Sequence, residues 1–329
     1  MNEAEWLEAI QAGNRRALAR AITLIESTRP DQRHQAVNLV AQARRMATSG
    51  IRIGISGVPG VGKSTFIERF GLLLIEKGHK VAVLAVDPSS RISGGSILGD
   101  KVRMPDLSAH ANAFIRPSPS AGSLGGVARR THENAALLHA AGYDVVLIET
   151  VGVGQSEIEV AKMVDFFLVL MLPNAGDEMQ GIKRGILEMA DCLVVNKIDQ
   201  PDAAAVNRAL NDYRSALSLM RPRFQGWQVP VLPASGLQGT GLEEVWSTIQ
   251  KHRDLLQKSG LWQQQRSDQA AYWFGQDWAT ALLEALQAHP EYGDFQQQAF
   301  AAMQNGGSFS DWIEAFLGHF CQTDHRAKS

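Results

Sequence analysis

The sequence predicts an α/β protein: a mostly parallel sheet covered by helices on both faces, with helical extensions at its amino and carboxyl ends. Three observations carry this. Short continuous apolar runs recur through the middle of the chain: IRIGIS from Ile51, KVAVLAV at 80–86, AFIR at 113–116, YDVVLIE at 143–149, FFLVLML at 166–172, CLVVNK at 192–197 and VPVLPAS at 229–235. Strands that are apolar throughout, rather than alternating, belong to sheets buried on both faces. Helix-patterned stretches separate the runs, as the crossovers between parallel strands require. At both ends the pattern is helical only.

From residue 3 to about 46, Trp6, Ile10, Leu18, Ile22 and Leu24 recur at roughly three- and four-residue spacing among charges, and Leu39, Val40 and Ala43 continue the series. After about Lys258 no further strand pattern occurs; Trp262, Trp273, Phe274, Trp278, Leu282, Leu283 and Leu286 punctuate a polar, helix-patterned stretch. The expected organisation is therefore a helical extension at 1–46, a central domain at 47–257 and a helical arm at 258–329. The aromatic residues of the arm suit packing on the core or a dimer interface.

With 329 residues, 45% of them hydrophobic and 20% charged, the chain is long and apolar enough for one large buried core plus appendages. A net charge of −2, with acids and bases interspersed, argues against a single-signed surface for nucleic acid. Cys192 and Cys321 lie far apart and form no CxxC, which fits a reducing cytoplasm and neither a disulfide framework nor a chain-borne metal site. The start, MNEAEWLEAI, is acidic with no apolar leader, and no run of 18 apolar residues occurs, so no membrane segment is expected.

Between the first strand and the helical FIERFGLLLIEKG stands Gly57-Val58-Pro59-Gly60-Val61-Gly62-Lys63-Ser64-Thr65, a match to GxxxxGK[ST] in the strand–loop–helix context of a P-loop NTPase. Its glycines let successive backbone N–H groups face inward, and the helix that begins there directs its positive end at the β- and γ-phosphates. Lys63 supplies a point charge to those phosphates, the Ser64 hydroxyl is placed to ligate Mg²⁺, and Thr65 falls near the α-phosphate.

Asn196-Lys197-Ile198-Asp199 ends the strand CLVVN and so lies at the carboxyl edge of the sheet, the rim that also carries the phosphate loop. A carboxylate there accepts from guanine N1–H and from the exocyclic N2 amine together. Adenine has neither donor on that edge and would leave Asp199 unpaired, which selects GTP over ATP. Ala234-Ser235-Gly236, after one more strand, can present backbone N–H groups to guanine O6; a surface Ser-Gly turn is the simpler alternative.

Asp87 and Glu149 stand at strand ends on the same rim, where either can hold Mg²⁺ directly or through a water. Glu149-Thr150-Val151-Gly152 takes the place of Asp-x-x-Gly, with the Gly152 N–H as a γ-phosphate sensor. The Gly/Ser-rich loop from Ser89 to Arg103 suits a switch and makes Asp100 a candidate for the metal or the attacking water, against the reading of an ordinary loop acid. Val153 rather than Gln follows Gly152, and Gln155 is two residues further on, so slow intrinsic hydrolysis is expected. His132 and His139 read as packing or surface residues, and Lys183 and Arg184 as a switch contact or a solvated helix start.

Together GVPGVGKST, VLAVDPSS, GGSILGDKVRM, ETVGVGQSE and NKID resemble the MeaB/ArgK-type GTPases, once labelled lysine/arginine/ornithine transport kinases, over about residues 15–255. The resemblance implies a GTPase domain with a helical amino-terminal extension and a carboxyl-terminal arm used for homodimerisation. It implies GTP/GDP and Mg²⁺ as cofactors, with Asp87, Asp100 and Glu149 around the metal. It further implies methylmalonyl-CoA mutase as partner, with GTP hydrolysis gating adenosylcobalamin loading and protecting the mutase. Related metal-delivering members carry Cys or His clusters; none is present here, which favours the mutase chaperone over metal insertion. A small-molecule kinase and a nucleotide-bound scaffold with little turnover are the alternatives.

Overall fold

A computed structural model of the protein describes residues 3–27, 29–46, 50–86, 103–117, 124–150, 156–173, 184–200 and 202–320. Asp87, Asp100, Gly152, Val153, Gln155, Lys183 and Cys321 lie outside these residues. Two compact units are present, residues 1–269 and 270–329.

In the first unit seven strands form one parallel sheet in the order β3-β2-β4-β1-β5-β6-β7. They are β1 (Ile51–Gly57), β2 (Val81–Val86), β3 (Ala113–Arg116), β4 (Val145–Thr150), β5 (Phe166–Met171), β6 (Cys192–Val195) and β7 (Val231–Pro233). β4 and β5 are buried at every position, as their uninterrupted apolar sequences require. Along β5, Phe166, Leu168 and Leu170 enter the core that contains Phe66, Phe70, Leu74, Trp246 and Ile249. The residues between them, Phe167, Val169 and Met171, are also buried. The period of two along a strand sends these two sets to opposite faces, so helices cover both.

Three helices precede the sheet: α1 (Glu3–Gln11), α2 (Arg15–Glu26) and α3 (Pro30–Met46). The helical pattern read across 3–46 is broken where Asn14 caps α2, its side chain accepting from the Arg16 and Ala17 N–H groups at 3.1 and 3.0 Å, and again where Pro30 starts α3. The interleaved helices are α4 (Lys63–Glu76), α5 (Pro105–Ala109), α6 (Leu124–Ala140), α7 (Ser156–Ala161), α8 (Arg184–Met189), α9 (Ala203–Ser218) and α10 (Leu242–Lys258). The amino-terminal helices join the central domain through buried ion pairs. Glu26 at the end of α2 pairs with Arg116 at the end of β3, and Glu133 of α6 pairs with Arg33 at 3.1 Å. α11 (Leu261–Gln287) follows, then α12 (Tyr292–Gln304) and α13 (Phe309–Phe320), which meet through Phe295 against Trp312 and Phe316 at ring separations of 5.3 and 5.7 Å. Among the described residues no helix is long and apolar enough to cross a membrane.

Beneath the sheet's amino rim, Asp165 is fully buried between two arginines. Arg52 Nη2 donates to Oδ1 at 2.7 Å and Arg266 Nη2 to Oδ2 at 2.9 Å, while the Arg52 backbone N–H adds a bond of 2.8 Å. Desolvation alone would raise this carboxyl, but the Arg52 and Arg266 charges outweigh it and hold it well below the usual carboxylate range. Asp165→Asn leaves two partly buried cations short of their counter-charge and is expected to cost about 2–4 kcal/mol at neutral pH in urea denaturation, below the cost of a fully buried pair because Arg266 is partly solvated. Because the folded value is depressed, this stability is present above the unfolded value near ~4 and lost as pH falls toward the folded one. The gap between wild type and variant should therefore narrow on acidification.

Candidate nucleotide site

β1 is central, and the chain fills one side of it with β2, β3 and β4 before crossing to β5, β6 and β7 on the other. Ligands of open α/β sheets bind beyond the carboxyl ends of strands at such a reversal. The phosphate loop follows β1, Glu149 lies near the end of β4, Asn196 follows β6, and Ala234 follows β7, so the topology brings all four segments to one rim.

In the loop, Gly57, Gly60 and Gly62 have φ of 150°, 80° and 92°, conformations that side chains resist, and α4 starts at Lys63 immediately after Gly62. Lys63 is buried, its Nζ donating to the Gly57 carbonyl at 2.8 Å and the Val58 carbonyl at 3.3 Å. Burial pulls its ammonium below the ordinary lysine value, opposed by the negative charges of Glu149 and Glu157. The Ser64 hydroxyl donates to Glu149 Oε1 at 3.2 Å, so the two predicted metal ligands among the described residues are in direct contact. Both offer hard oxygens, the donor type that Mg²⁺ takes, and Ser64 directly follows Lys63 in the chain. Thr65, by contrast, is exposed. Below the loop, buried Thr150 donates to the Ser56 hydroxyl at 3.0 Å, joining the ends of β4 and β1.

The segment Asn196–Asp199 is held against this loop. Asn196 is buried; its Nδ2 donates to the Val61 carbonyl at 2.8 Å and its Oδ1 accepts from the Gly236 N–H at 2.9 Å. Lys197 adopts φ 62°, the only positive value at a non-glycine among the described residues, and its Nζ donates to the Gly60 carbonyl at 2.7 Å. A left-handed lysine costs about 1 kcal/mol or more, and the contact with Gly60 offsets it. Asp199 is partly exposed, with Oδ1 accepting from the Ser235 hydroxyl.

The loop after β7 was read either as presenting its amides to guanine O6 or as a surface Ser-Gly turn. Within the chain Ala234 N–H donates to the Val195 carbonyl, Ser235 N–H to the Thr240 carbonyl and Gly236 N–H to Asn196, each at 2.9 Å. Strand pairing and the tight turn engage these groups within the chain. What the loop does here is fix Asn196 and Asp199. Gly236 packs on α4: a Cβ at this position would lie 2.9 Å from the Phe66 Cα and 3.0 Å from its nitrogen. Gly236→Ala must therefore push the base-reading loop off α4, and an expected loss of about 1–3 kcal/mol in GDP affinity is measurable by calorimetry.

One residue of the site was not singled out in the sequence, and one was assigned a different group. Glu157, in the ETVGVGQSE motif, is 1% exposed, and its charge acts on Lys63 across the site. Ser235 was expected to act through its amide and acts through its hydroxyl. His139 is a packing residue, its Nδ1 2.8 Å from the Tyr143 carbonyl. Among the described residues no group of three or more His, Cys, Asp or Glu forms a metal cluster.

The family model described as methylmalonyl Co-A mutase-associated GTPase MeaB matches residues 18–291. The GTPase ArgK of Escherichia coli K12 is 46% identical over 324 residues, 98% of this chain and 97% of that one. The Mus musculus protein named methylmalonic aciduria type A homolog, mitochondrial, is 46% identical over 288 residues, 84% of this chain and 69% of its own. A solved structure described as an LAO/AO transport system kinase superposes with a TM-score of 0.74 at 38% identity, covering 98% of each chain. Coupled with a rim on which the phosphate loop and the base reader touch, a match of this extent means that the chain is a GTPase and belongs to the MeaB family.

Proposed function

We propose that this GTPase is Mg²⁺-dependent and acts as a chaperone of methylmalonyl-CoA mutase, its nucleotide state gating adenosylcobalamin loading and protecting the mutase from inactivation. The observation that carries the nucleotide reading is the pinning of Asn196 to Val61 and of Lys197 to Gly60. One rigid rim then holds a guanine acceptor, Asp199, at one end and Lys63, Ser64 and Glu149 at the other. The mutase reading is supported by the description of the family and by the name of the mouse relative.

Ser64 and Glu149 would hold the Mg²⁺, with Asp87 and Asp100 as further ligands or water-positioning groups and the Gly152 N–H as γ-phosphate sensor. The metal would supply positive charge that offsets the charge developing on the phosphates. The Lys63 ammonium, now donating to the Gly57 and Val58 carbonyls, would donate instead to phosphate oxygens. Thr65 completes the phosphate end of the site and Ala234 to Gly236 orient Asp199 at the base end. The arm from 258 serves as a homodimer surface, supported by the exposed Phe274, Trp278 and Leu282, which recur every fourth residue on α11. The setting is the cytoplasm.

The test is steady-state release of inorganic phosphate from GTP, with and without an equimolar cobalamin-dependent methylmalonyl-CoA mutase, in Mg²⁺ and in chelator. A rise of about tenfold or more with the mutase, abolished by chelator, is expected. Turnover indifferent to the mutase would remove the chaperone reading and leave the GTPase.

A further inference from the structure

On the rim opposite the nucleotide site, at the amino ends of β2, β3 and β4, a cavity of about 100 Å³ lies between α2 and the sheet. That volume holds about six non-hydrogen atoms. Ile10 and Leu18, both buried, make its apolar floor. Its polar walls are Arg15, Lys80, Asn14, Asn112 and Tyr143; no acidic residue lines it.

Every charge in this wall is positive, and neither cation has a carboxylate partner among the described residues. Arg15 spends one guanidinium nitrogen on the His110 carbonyl at 3.4 Å, which fixes the head group and leaves its other donors. Tyr143 is 7% exposed, and its ring packs on Phe114 with centroids 5.9 Å apart. Its hydroxyl, which can both donate and accept, adds a polar group to the cavity wall. Arg15 and Tyr143 line the same cavity, so guanidinium and phenol border one space. Asn14 uses its Oδ1 to cap α2, leaving its amide donors, and the first turn of α2 adds the positive end of a helix.

We propose that this cavity binds a small carboxylate anion with a short apolar tail. Arg15, Lys80 and the Tyr143 hydroxyl take the carboxylate, and the tail lies on Ile10 and Leu18. A planar carboxylate suits a guanidinium fork, and the apolar floor favours a tailed acid over a fully polar anion. The site is separate from the nucleotide rim and independent of the mutase reading.

The experiment titrates butyrate, butyramide and inorganic phosphate in turn into the full-length protein saturated with GDP, so that the phosphate loop is filled, followed by calorimetry. Butyrate should bind, with butyramide weaker by about tenfold or more because it lacks the charge. The double variant Arg15→Ala, Lys80→Ala should weaken butyrate by about tenfold or more, and Tyr143→Phe, which keeps the ring packing, by about threefold or more. Both cationic residues are exposed, and an unchanged GDP affinity verifies that each variant is folded. No butyrate binding to the wild type, equal binding of butyramide, or variants that bind as the wild type does would each overturn the proposal. Phosphate bound in preference to butyrate, and lost in the double variant, would overturn the carboxylate assignment in favour of a phosphate.

Discussion

Lys63→Ala is expected to abolish tight binding of GTP and, with it, hydrolysis. The ammonium already lies buried in the loop, bonded to the carbonyls of Gly57 and Val58, and no other lysine or arginine among the described residues donates to both of them. Two charge-assisted bonds to phosphate oxygens are worth about 1.5–3 kcal/mol each, so affinity should fall by roughly two to four powers of ten. The lysine also stabilises the loop's own carbonyls, so part of the loss will be loop disorder. A thermal-shift comparison of the nucleotide-free proteins separates the two effects. A variant that binds GTP within about tenfold of the wild type would mean that the loop is not the phosphate site.

The second large effect concerns the base. Asp199→Asn should weaken GTP by about a thousandfold or more, because the amide presents a donor where guanine N2 also donates, and two partners are left unpaired. Xanthosine triphosphate carries a 2-oxo group that accepts from the new amide, so the variant should prefer it. The position is favourable for a clean exchange: Ser235 donates its hydroxyl to Asp199 Oδ1, and an asparagine Oδ1 accepts the same bond. Competition of each triphosphate against fluorescent GDP gives the result, and an unchanged preference would refute base reading by Asp199.

Much of this rim was legible in the sequence because its parts are local. A glycine-rich loop between an apolar run and a helical one, and NKID at the end of another apolar run, each place themselves once parallel strands are assumed. The observed strands differ from the apolar runs only by a residue or two at most ends. VPVLPAS shortens to Val231–Pro233; Ala234 still donates to the Val195 carbonyl, and Ser235 turns away to hold Asp199. The bonds that lock the rim were not legible. That Asn196 reaches Val61 and Gly236 depends on the spacing of β1, β6 and β7, which no sequence window contains. The bonds of the 234–236 amides within the chain were hidden for the same reason.

Long-range electrostatics were hidden still more completely. Asp165 joins Arg52, 113 residues before it, to Arg266, 101 residues after it, and neither arginine has a local pattern that marks it. Asp191 and His252 are likewise brought within 3.7 Å under the sheet, boxed by Phe166, Phe224 and Trp227 around the imidazole. Burial raises the Asp191 carboxyl to about 6, with Arg223 opposing, and lowers His252 to about 4. Neither residue was singled out in the sequence.

The most direct test of GTP-selective hydrolysis on this rim is steady-state phosphate release by the purified protein from GTP and from ATP at matched concentrations. Asp199 and the contacts that hold it predict turnover of GTP and a rate with ATP lower by about a hundredfold or more. Equal release from the two triphosphates would contradict it.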